Sequence, residues 1–246
     1  MNPLTEPVAE GARIAEAAAE HGLPLRLLGG VAIATLCPSS QRPPLQRQYA
    51  DIDFATTSSA KEDVTKLMEA LSYAPDREFN TLHGQRRLYF WDERNQRQVD
   101  VFVDEADLCH RIDLRERLDV APLTLSLADL TVLKLQVVET NEKDYLDLCA
   151  IFADFDLTDD DRGINSTYIA QLTASDWGLW RTLTMVAERS GEFALGLPNF
   201  ERREVVAERL ERLRSKLDNV PKSRGWRLRA RAGDRKRWYK IPEEAH

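Results

Sequence analysis

Hydrophobic residues in the first part of the chain recur at helical and strand-like spacings in turn. Residues 10–21 carry apolar side chains on one side and are followed by a glycine, which predicts an amphipathic helix. The short apolar run at residues 25–28 predicts a strand, and residues 31–36 continue as a short helix or turn. Residues 37–50 contain three prolines and several polar side chains, so we expect a loop there.

The next part of the chain has the alternation of a β-sheet. Residues 51–56 predict a strand, followed by a helix that a serine can cap and that extends to about residue 71. Residues 87–91 and 99–103 are strand-like and are joined by polar residues, a pattern typical of an antiparallel hairpin. A further short strand is expected near residues 112–114.

From residue 126 onward the apolar spacing is helical. Helices are predicted after Ser126, after Asn141 and over residues 176–189 and 202–217. Mixed elements followed by helices alone predict an α+β fold. We therefore expect an N-terminal domain with a mixed β-sheet flanked by helices, followed by a helical C-terminal domain.

Charge sets the last part of the chain apart. The formal net charge is -7, yet residues 221–240 hold nine Lys or Arg and one Asp. Their alternation of apolar and basic residues predicts either a hairpin with one basic face or a tail that orders on a partner. The expected divisions of the chain are residues 1–120, 121–220 and 221–246.

Composition narrows the class of protein. Hydrophobic residues make up 43% and charged residues 30%, which is ordinary for a globular protein. No apolar run has the length that a membrane-spanning helix requires. The acidic, alanine-rich N-terminus lacks the order of a signal peptide, so we expect a cytoplasmic protein. The three cysteines and four histidines show no metal-ligand spacing.

Two carboxylates open the strand predicted at residues 51–56. Asp51 and Asp53 are two residues apart, so in a strand they share a face, while Ile52 points to the other. Like charges this close repel each other, and a divalent cation is the usual compensation. The pair therefore predicts a metal site.

A third carboxylate lies within a run of strong β-formers. Valines take one face of strand 99–103, and Asp100 and Asp104 take the other. A charge in such a strand is costly unless it is paired or bound to a metal. If this strand neighbours Asp51 and Asp53, Asp100 completes a group of three metal ligands, with Asp104 as the competing candidate.

A glycine pair upstream makes the arrangement more specific. Gly29 and Gly30 stand at a strand-to-helix turn, where bare backbone N–H groups could approach a triphosphate. Together with the carboxylates they resemble the polymerase-β-like nucleotidyltransferase superfamily, and within it the AbiEii-type toxins and the related mycobacterial tRNA-modifying toxins. The matching stretches are Leu-Leu-Gly-Gly-Val-Ala at 27–32, Arg-Gln-Tyr-Ala-Asp-Ile-Asp-Phe at 47–54 and Val-Asp-Val-Phe at 99–102.

The helical part adds a fourth similarity. Lys134 precedes Asp144 and Asp147, which resembles the family's lysine followed by a Lys-Asp-x-x-Asp-Leu stretch. The resemblance implies that Lys134 contacts nucleotide phosphates and that the two aspartates orient the lysine, the base or the acceptor. Arg47 is counted with the nucleotide-binding residues, the alternative being a solvated side chain. The family commonly has serine in place of Gly30, so a hydroxyl contact to phosphate is missing here.

The resemblance implies a magnesium-dependent transfer of a nucleoside monophosphate from an NTP to tRNA or another macromolecule, by an AbiEii-like toxin with a cognate antitoxin. Asp51, Asp53 and Asp100 would hold two Mg²⁺ ions, one activating the acceptor hydroxyl and one neutralising the leaving pyrophosphate. Asp100 could also take the acceptor's proton.

The acceptor is less constrained than the chemistry. We call residues 221–240 the basic segment. Its arginines would contact RNA phosphates, and its aromatic residues would stack on bases. These arginines are Arg227, Arg229, Arg231 and Arg237. Two alternatives stay open. One is a small-molecule adenylyltransferase of the aminoglycoside-modifying sort, because the acidic remainder of the chain would attract a cationic drug. The other is a non-catalytic interaction module on the same fold.

Overall fold

A computed structural model describes residues 2–241 and divides them into two units. The first unit holds the described residues up to Leu36, then Arg47–Ala106 and Ile112–Ser126. The second holds Cys37–Gln46, Asp107–Arg111 and the described residues from Leu127 onward. Two short segments that precede residue 120 in the sequence thus belong to the second unit.

The first unit is built on a five-stranded mixed sheet. The elements up to the sheet's last strand are α1 (Pro7–Glu20), β1 (Arg26–Leu28), α2 (Gly29–Leu36), β2 (Asp51–Thr56), α3 (Lys61–Ala70), β3 (Ala74–Pro75), α4 (Arg77–His83), β4 (Arg87–Asp92) and β5 (Arg97–Val103). The strand order is β1-β2-β5-β4-β3. Within this sheet β2 and β5 are parallel, and the other pairs are antiparallel. Two short strands follow, β6 (Glu105–Asp107) and β7 (Arg111–Asp113).

The two faces of this sheet differ sharply in polarity. One face packs into the core through apolar residues that are all buried: Ile52, Phe54, Leu88, Phe90, Val99 and Val101. The other face carries the carboxylates of β2 and β5 together with half-buried aromatic side chains: Tyr89, Trp91 and Phe102. Period-two alternation in the sequence produces this division, because it sends every second residue to the same side.

Helix α1 covers the apolar side. The Glu6 carboxylate accepts hydrogen bonds from the backbone N–H groups of Val8 and Ala9, and Pro7 lies in the first turn, so the helix begins there. It ends before Gly22, whose φ of 66° is a left-handed conformation that favours glycine. A side chain at Gly11 would stand 2.8 Å from Val31, so α1 approaches α2 closely.

The second unit is largely helical. Its elements are α5 (Leu127–Leu135), α6 (Glu142–Asp154), β8 (Leu157–Thr158), β9 (Ile164–Asn165), α7 (Ser166–Ser175), α8 (Trp177–Gly196), α9 (Arg203–Asn219) and α10 (Arg224–Ala230). Helix α6 starts with a capping box between Asn141 and Asp144. Its apolar face, with Leu148, Ile151 and Phe152, is completely buried.

These elements confirm the predicted α+β fold with a mixed sheet and a helical C-terminal part. The predicted strand at residues 51–56 and the hairpin of β4 and β5 are confirmed. The expected loop over residues 37–50 contains a 3-10 helix, Pro38–Gln41, because a backbone N–H and the hydroxyl of Ser39 both bond to Asp154 of α6. No helix among residues 2–241 is long and apolar enough to span a membrane.

The basic segment is helical rather than extended. Residues 224–230 form α10, so the hairpin prediction is wrong for the described part of this segment. Ser223 caps the helix by accepting a hydrogen bond from the Trp226 N–H. The Trp226 ring packs edge-on against Trp180 of α8, with 5.1 Å between ring centroids. This contact fixes the segment within the second unit; residues 242–246 lie outside the described residues.

Candidate active site

The parallel pairing of β2 with β5 brings two predicted carboxylates side by side. Asp53 pairs in register with Asp100, and Asp51 pairs with Gln98. Because paired residues share a face and side chains alternate, all three carboxylates lie on one face of the sheet. Neighbouring strands are about 4.8 Å apart. The adjacency of the two strands, on which the predicted group of three depended, is therefore present.

The three carboxylates differ in their access to solvent. Asp51 is exposed and Asp53 is half-buried. Asp100 is only 1% exposed, so its charge needs partners from the protein. Two side chains supply them. Nε of Arg87 donates to Oδ1 of Asp100 at 2.7 Å, and Nε2 of Gln98 donates to Oδ2 at 2.6 Å.

Carboxylate oxygens are the ligands that Mg²⁺ prefers, and their placement on adjacent strands fits a magnesium site. The Asp100 side chain, however, is paired with other side chains of the protein. Among residues 2–241, no group of three or more His, Cys, Asp or Glu side chains is arranged to hold a metal ion. The strand register thus puts the three carboxylates on one face, while the Asp100 side chain is turned toward Arg87 and Gln98.

Gly29 lies directly against one of these carboxylates. Its φ is 70°, and a Cβ built there would stand 2.3 Å from Oδ2 of Asp53. Both facts require glycine, since an L side chain is strained at this φ and would displace Asp53. The turn from β1 into α2 is therefore shaped so that the Asp53 carboxylate can lie against bare backbone.

Gly30 makes room for a different side chain. A Cβ there would stand 1.9 Å from Nη2 of Arg47 and 3.1 Å from Cδ1 of Tyr49. The Arg47 guanidinium lies 4.2 Å from the centroid of the Tyr49 ring, a cation–π arrangement. The Arg47 guanidinium thus takes the space that a side chain at position 30 would occupy.

Asp104, the competing candidate for the third carboxylate, has a structural role. Its Oδ1 accepts a hydrogen bond from the Ser58 N–H at 2.9 Å. Its own N–H donates to the carbonyl of Thr56 at 2.9 Å, and its φ is 64°. Asp104 therefore closes the turn after β2 and lies four residues beyond Asp100.

Three predicted residues meet in the second unit. Nζ of Lys134 lies 2.8 Å from Oδ1 of Asp144 and 2.8 Å from Oδ2 of Asp147. Burial alone lowers the pKa of Lys134, but Asp147 and Asp144 outweigh it, so this pKa is raised. Lys134 is a charged ammonium at neutral pH, held by two carboxylates spaced three residues apart on one face of α6.

The predicted RNA-contacting arginines fall into two groups. Arg229 donates to the carbonyls of Gly233 and Lys236 and stacks 4.3 Å from the Trp177 ring centroid, so it holds the segment in place. The others are exposed: Arg227, Arg231 and Arg237. The tryptophans of the segment pack within the unit, because Trp238 contacts Trp177 edge-on at 5.9 Å and donates to Thr182 at 3.0 Å.

Sequence reasoning missed Arg87 and Gln98. The signal was present, because alternation from Asp100 puts Gln98 on its face. Arg87 could be placed only with the hairpin register, in which Tyr89 lies opposite Asp100 and Arg87 opposite Phe102. Arg87 then reaches diagonally across the strand pair to Asp100.

Known proteins offer a limited comparison. No family model matches the chain, and no curated protein matches it significantly. Similar solved structures include the antibiotic-resistance factor ANT(2'')-Ia, at 14% identity and a TM-score of 0.40 over 93% of this chain and 95% of that one. A candidate nucleotidyltransferase from H. pylori is 10% identical, with a TM-score of 0.39 over 89% and 100% of the two chains.

A third similar structure is a tRNA-processing enzyme. It is 14% identical to this chain, with a TM-score of 0.30. The similarity covers 92% of this chain and 65% of that one. These TM-scores are low, and the chemistry of the site therefore rests on the chain's own residues.

Proposed function

We propose that this chain is a magnesium-dependent nucleotidyltransferase of the polymerase-β-like kind, which transfers a nucleoside monophosphate from an NTP to an acceptor. The observation that carries the proposal is the register of β2 and β5. It pairs Asp53 with Asp100 and leaves Asp51 two residues away on the same face. Carboxylates this close together on adjacent strands repel one another unless cations offset their charge.

In this proposal Asp51, Asp53 and Asp100 would hold two Mg²⁺ ions, which would activate the acceptor hydroxyl and neutralise the leaving pyrophosphate. The protein contributes positioning. Gly29 allows the Asp53 carboxylate to lie against the start of α2. The backbone N–H groups at that helix start favour an anion, so the triphosphate would bind there.

Arg47 is the proposed phosphate ligand of the first unit. Its guanidinium fills the space above Gly30 that a serine side chain would take. A guanidinium can bind phosphate oxygens in a bidentate manner, which a hydroxyl cannot do. Arg47 would therefore replace the missing hydroxyl contact.

In the second unit, Lys134 is the proposed phosphate ligand. An ammonium has three N–H donors, and Asp144 and Asp147 account for two of them. The two carboxylates would orient the lysine and leave one donor for a phosphate oxygen. Their combined charge also keeps Lys134 protonated.

For the acceptor we propose tRNA or another RNA, modified by an AbiEii-like toxin that has a cognate antitoxin. The exposed arginines of the basic segment support a nucleic-acid partner: Arg224, Arg227, Arg231, Arg235 and Arg237. Base stacking on Trp226 or Trp238 is not part of this proposal, because those rings pack within the protein.

A small-molecule adenylyltransferase is the second candidate. The chain without residues 221–240 holds 25 basic and 40 acidic residues, a balance of -15. Such a surface would attract a cationic drug by long-range electrostatics. A non-catalytic interaction module is the third.

Labelled NTPs test these candidates together. Each α-labelled NTP is incubated with the protein and Mg²⁺, once with total tRNA and once with an aminoglycoside. We expect label on RNA, abolished in Asp53→Asn and retained in Asp63→Asn, an exposed carboxylate of α3. Label on the drug alone would support the second candidate, and no transfer with any NTP would support the third. Transfer retained in Asp53→Asn would contradict the metal assignment.

The RNA proposal has its own test in salt dependence. Neutralising Arg227, Arg231 and Arg237 to Gln is expected to weaken RNA binding. It should also lower the slope of log K against log salt by about one for each phosphate that the variant no longer neutralises. The matched control neutralises three exposed arginines outside the segment: Arg77, Arg94 and Arg203. An equal effect of both sets would contradict a specific role for the basic segment.

A further inference from the structure

Both oxygens of Asp100 are occupied by donors from the protein itself. The Arg87 guanidinium and the Gln98 amide bind one oxygen each, at 2.7 Å and 2.6 Å. In the proposed enzyme the same carboxylate is a ligand of Mg²⁺. Arg87 and a divalent cation therefore compete for one buried carboxylate.

Electrostatic repulsion prevents Arg87 and a divalent cation from binding Asp100 at the same time. A carboxylate can accept more than two hydrogen bonds, so Gln98, which is neutral, can stay in place when a cation arrives. Arg87 is always charged and would stand within a few ångströms of a divalent ion bound to the same group. Like charges at that distance repel strongly where Asp100 is shielded from water.

The surroundings of Arg87 can accommodate its side chain after it leaves Asp100. Its side chain is 25% exposed, whereas that of Asp100 is 2% exposed. The guanidinium already lies 5.0 Å from the centroid of the Phe102 ring, on the same face of the sheet. A cation–π contact and water can hold the released side chain.

We propose that Arg87 is a positioning residue that occupies Asp100 in the metal-free protein and is exchanged for the metal ion on loading. This inference rests on the proposed function. In the metal-free protein the pair keeps a buried negative charge compensated, which stabilises the sheet. The same pair weakens metal binding, since the ion gains Asp100 only when the guanidinium leaves.

A purely structural ion pair makes a different prediction. If Arg87 only stabilised the sheet, its removal would lower the stability of the protein and leave the affinity for metal unchanged. Exchange predicts instead that removal of Arg87 tightens metal binding. The affinity for metal therefore separates the two roles without any measurement of activity.

The test is a titration with Mn²⁺, followed by electron paramagnetic resonance of the free ion, in the absence of nucleotide. The variants are Arg87→Met and Gln98→Met, with Arg94→Met as a matched control in the exposed turn between β4 and β5. Asp53→Asn defines which binding belongs to the site. We expect Arg87→Met to bind Mn²⁺ about tenfold more tightly, equivalent to about 1.4 kcal/mol. Gln98→Met, which removes a neutral side chain that can stay beside the ion, should not tighten binding, and Arg94→Met should not change it.

Metal-dependent stability gives the second measurement. Without metal, the melting temperature of Arg87→Met should be lower than that of the parent. Saturating Mn²⁺ should raise the melting temperature of the variant by more than it raises that of the parent. Unchanged Mn²⁺ affinity in Arg87→Met would overturn the exchange while leaving the metal site intact. If Arg87→Met does not fold, the same comparison is made with Arg87→Gln, which removes the charge and keeps a polar side chain. Absence of Asp53-dependent Mn²⁺ binding in every variant would overturn the exchange and the proposed magnesium site together.

Discussion

Substituting Gly29 tests how closely the glycine turn and the carboxylate depend on each other. Two costs are expected in Gly29→Ala. The first is conformational: at a φ of 70°, a residue with a Cβ is strained by about 1–2 kcal/mol. The second is steric, because the new Cβ would stand 2.3 Å from Oδ2 of Asp53. That distance is roughly 1 Å short of ordinary van der Waals contact, so Asp53 must move by a comparable amount. In the proposed function Asp53 is a catalytic group, and misplacement of such a group by about 1 Å can reduce a rate about a hundredfold.

Gly22→Ala isolates the first cost. Gly22 has a φ of 66°, and nothing lies within 4 Å of a Cβ placed there. Both variants should lose about 1–2 kcal/mol of unfolding free energy in urea, with a larger loss in Gly29→Ala. Only Gly29→Ala should lose the proposed nucleotidyl transfer and the proposed Asp53-dependent Mn²⁺ binding. Equal stability and equal metal binding in the two variants would refute the argued contact between Gly29 and Asp53.

Three further predictions concern the second unit. Lys134→Met leaves Asp144 and Asp147 without their cation and should lose about 3 kcal/mol of unfolding free energy. The control Lys143→Met changes an exposed lysine and should lose little. Similar losses in the two variants would contradict the buried pairing of Lys134 with the two aspartates. Burial lowers the pKa of His110, more than the nearby Asp176 charge raises it. The unfolded chain therefore takes up a proton near its ordinary pKa of 6.5 that the folded protein does not, and stability falls as pH drops. His110→Gln should lose less stability than the parent between about pH 7.5 and 5.5, and an equal loss would contradict this. Trp226→Ala should undock α10 and speed tryptic cleavage there, whereas the exposed Leu228→Ala should not.

The sheet was predictable because its residues obey one period. Apolar alternation defined β2 and the hairpin of β4 and β5, and the same alternation put Asp51 and Asp53 on one face. The sequence could not show that β2 and β5 are parallel neighbours, since that pairing joins residues about fifty apart. The grouping of Asp51, Asp53 and Asp100 on one face therefore depended on the register of Asp53 with Asp100, which the sequence does not contain.

The basic segment shows why other parts were not predictable. Alternating Trp, Leu and Ala with Arg fits a two-sided strand, yet the same residues are acceptable helix formers. The Ser223 cap and the packing of Trp226 on Trp180 decide for a helix. Contacts with distant residues thus override the local pattern. Helix α4 was missed for another reason: it has no buried residues, so no apolar period marks it.

Two ion pairs of the chain show how a protein can hold carboxylates for different purposes. The Lys134 side chain is 15% exposed and pairs with two aspartates. An incoming cation could replace it only by forming both of these contacts itself. Arg87 is 25% exposed, serves one aspartate and has an aromatic ring beside it. The first arrangement fits a permanent cation that keeps its charge and offers one remaining donor. The second fits a cation that can leave. If the Mn²⁺ titrations show exchange at Arg87, Asp100 is a metal ligand whose charge is kept compensated until the ion binds.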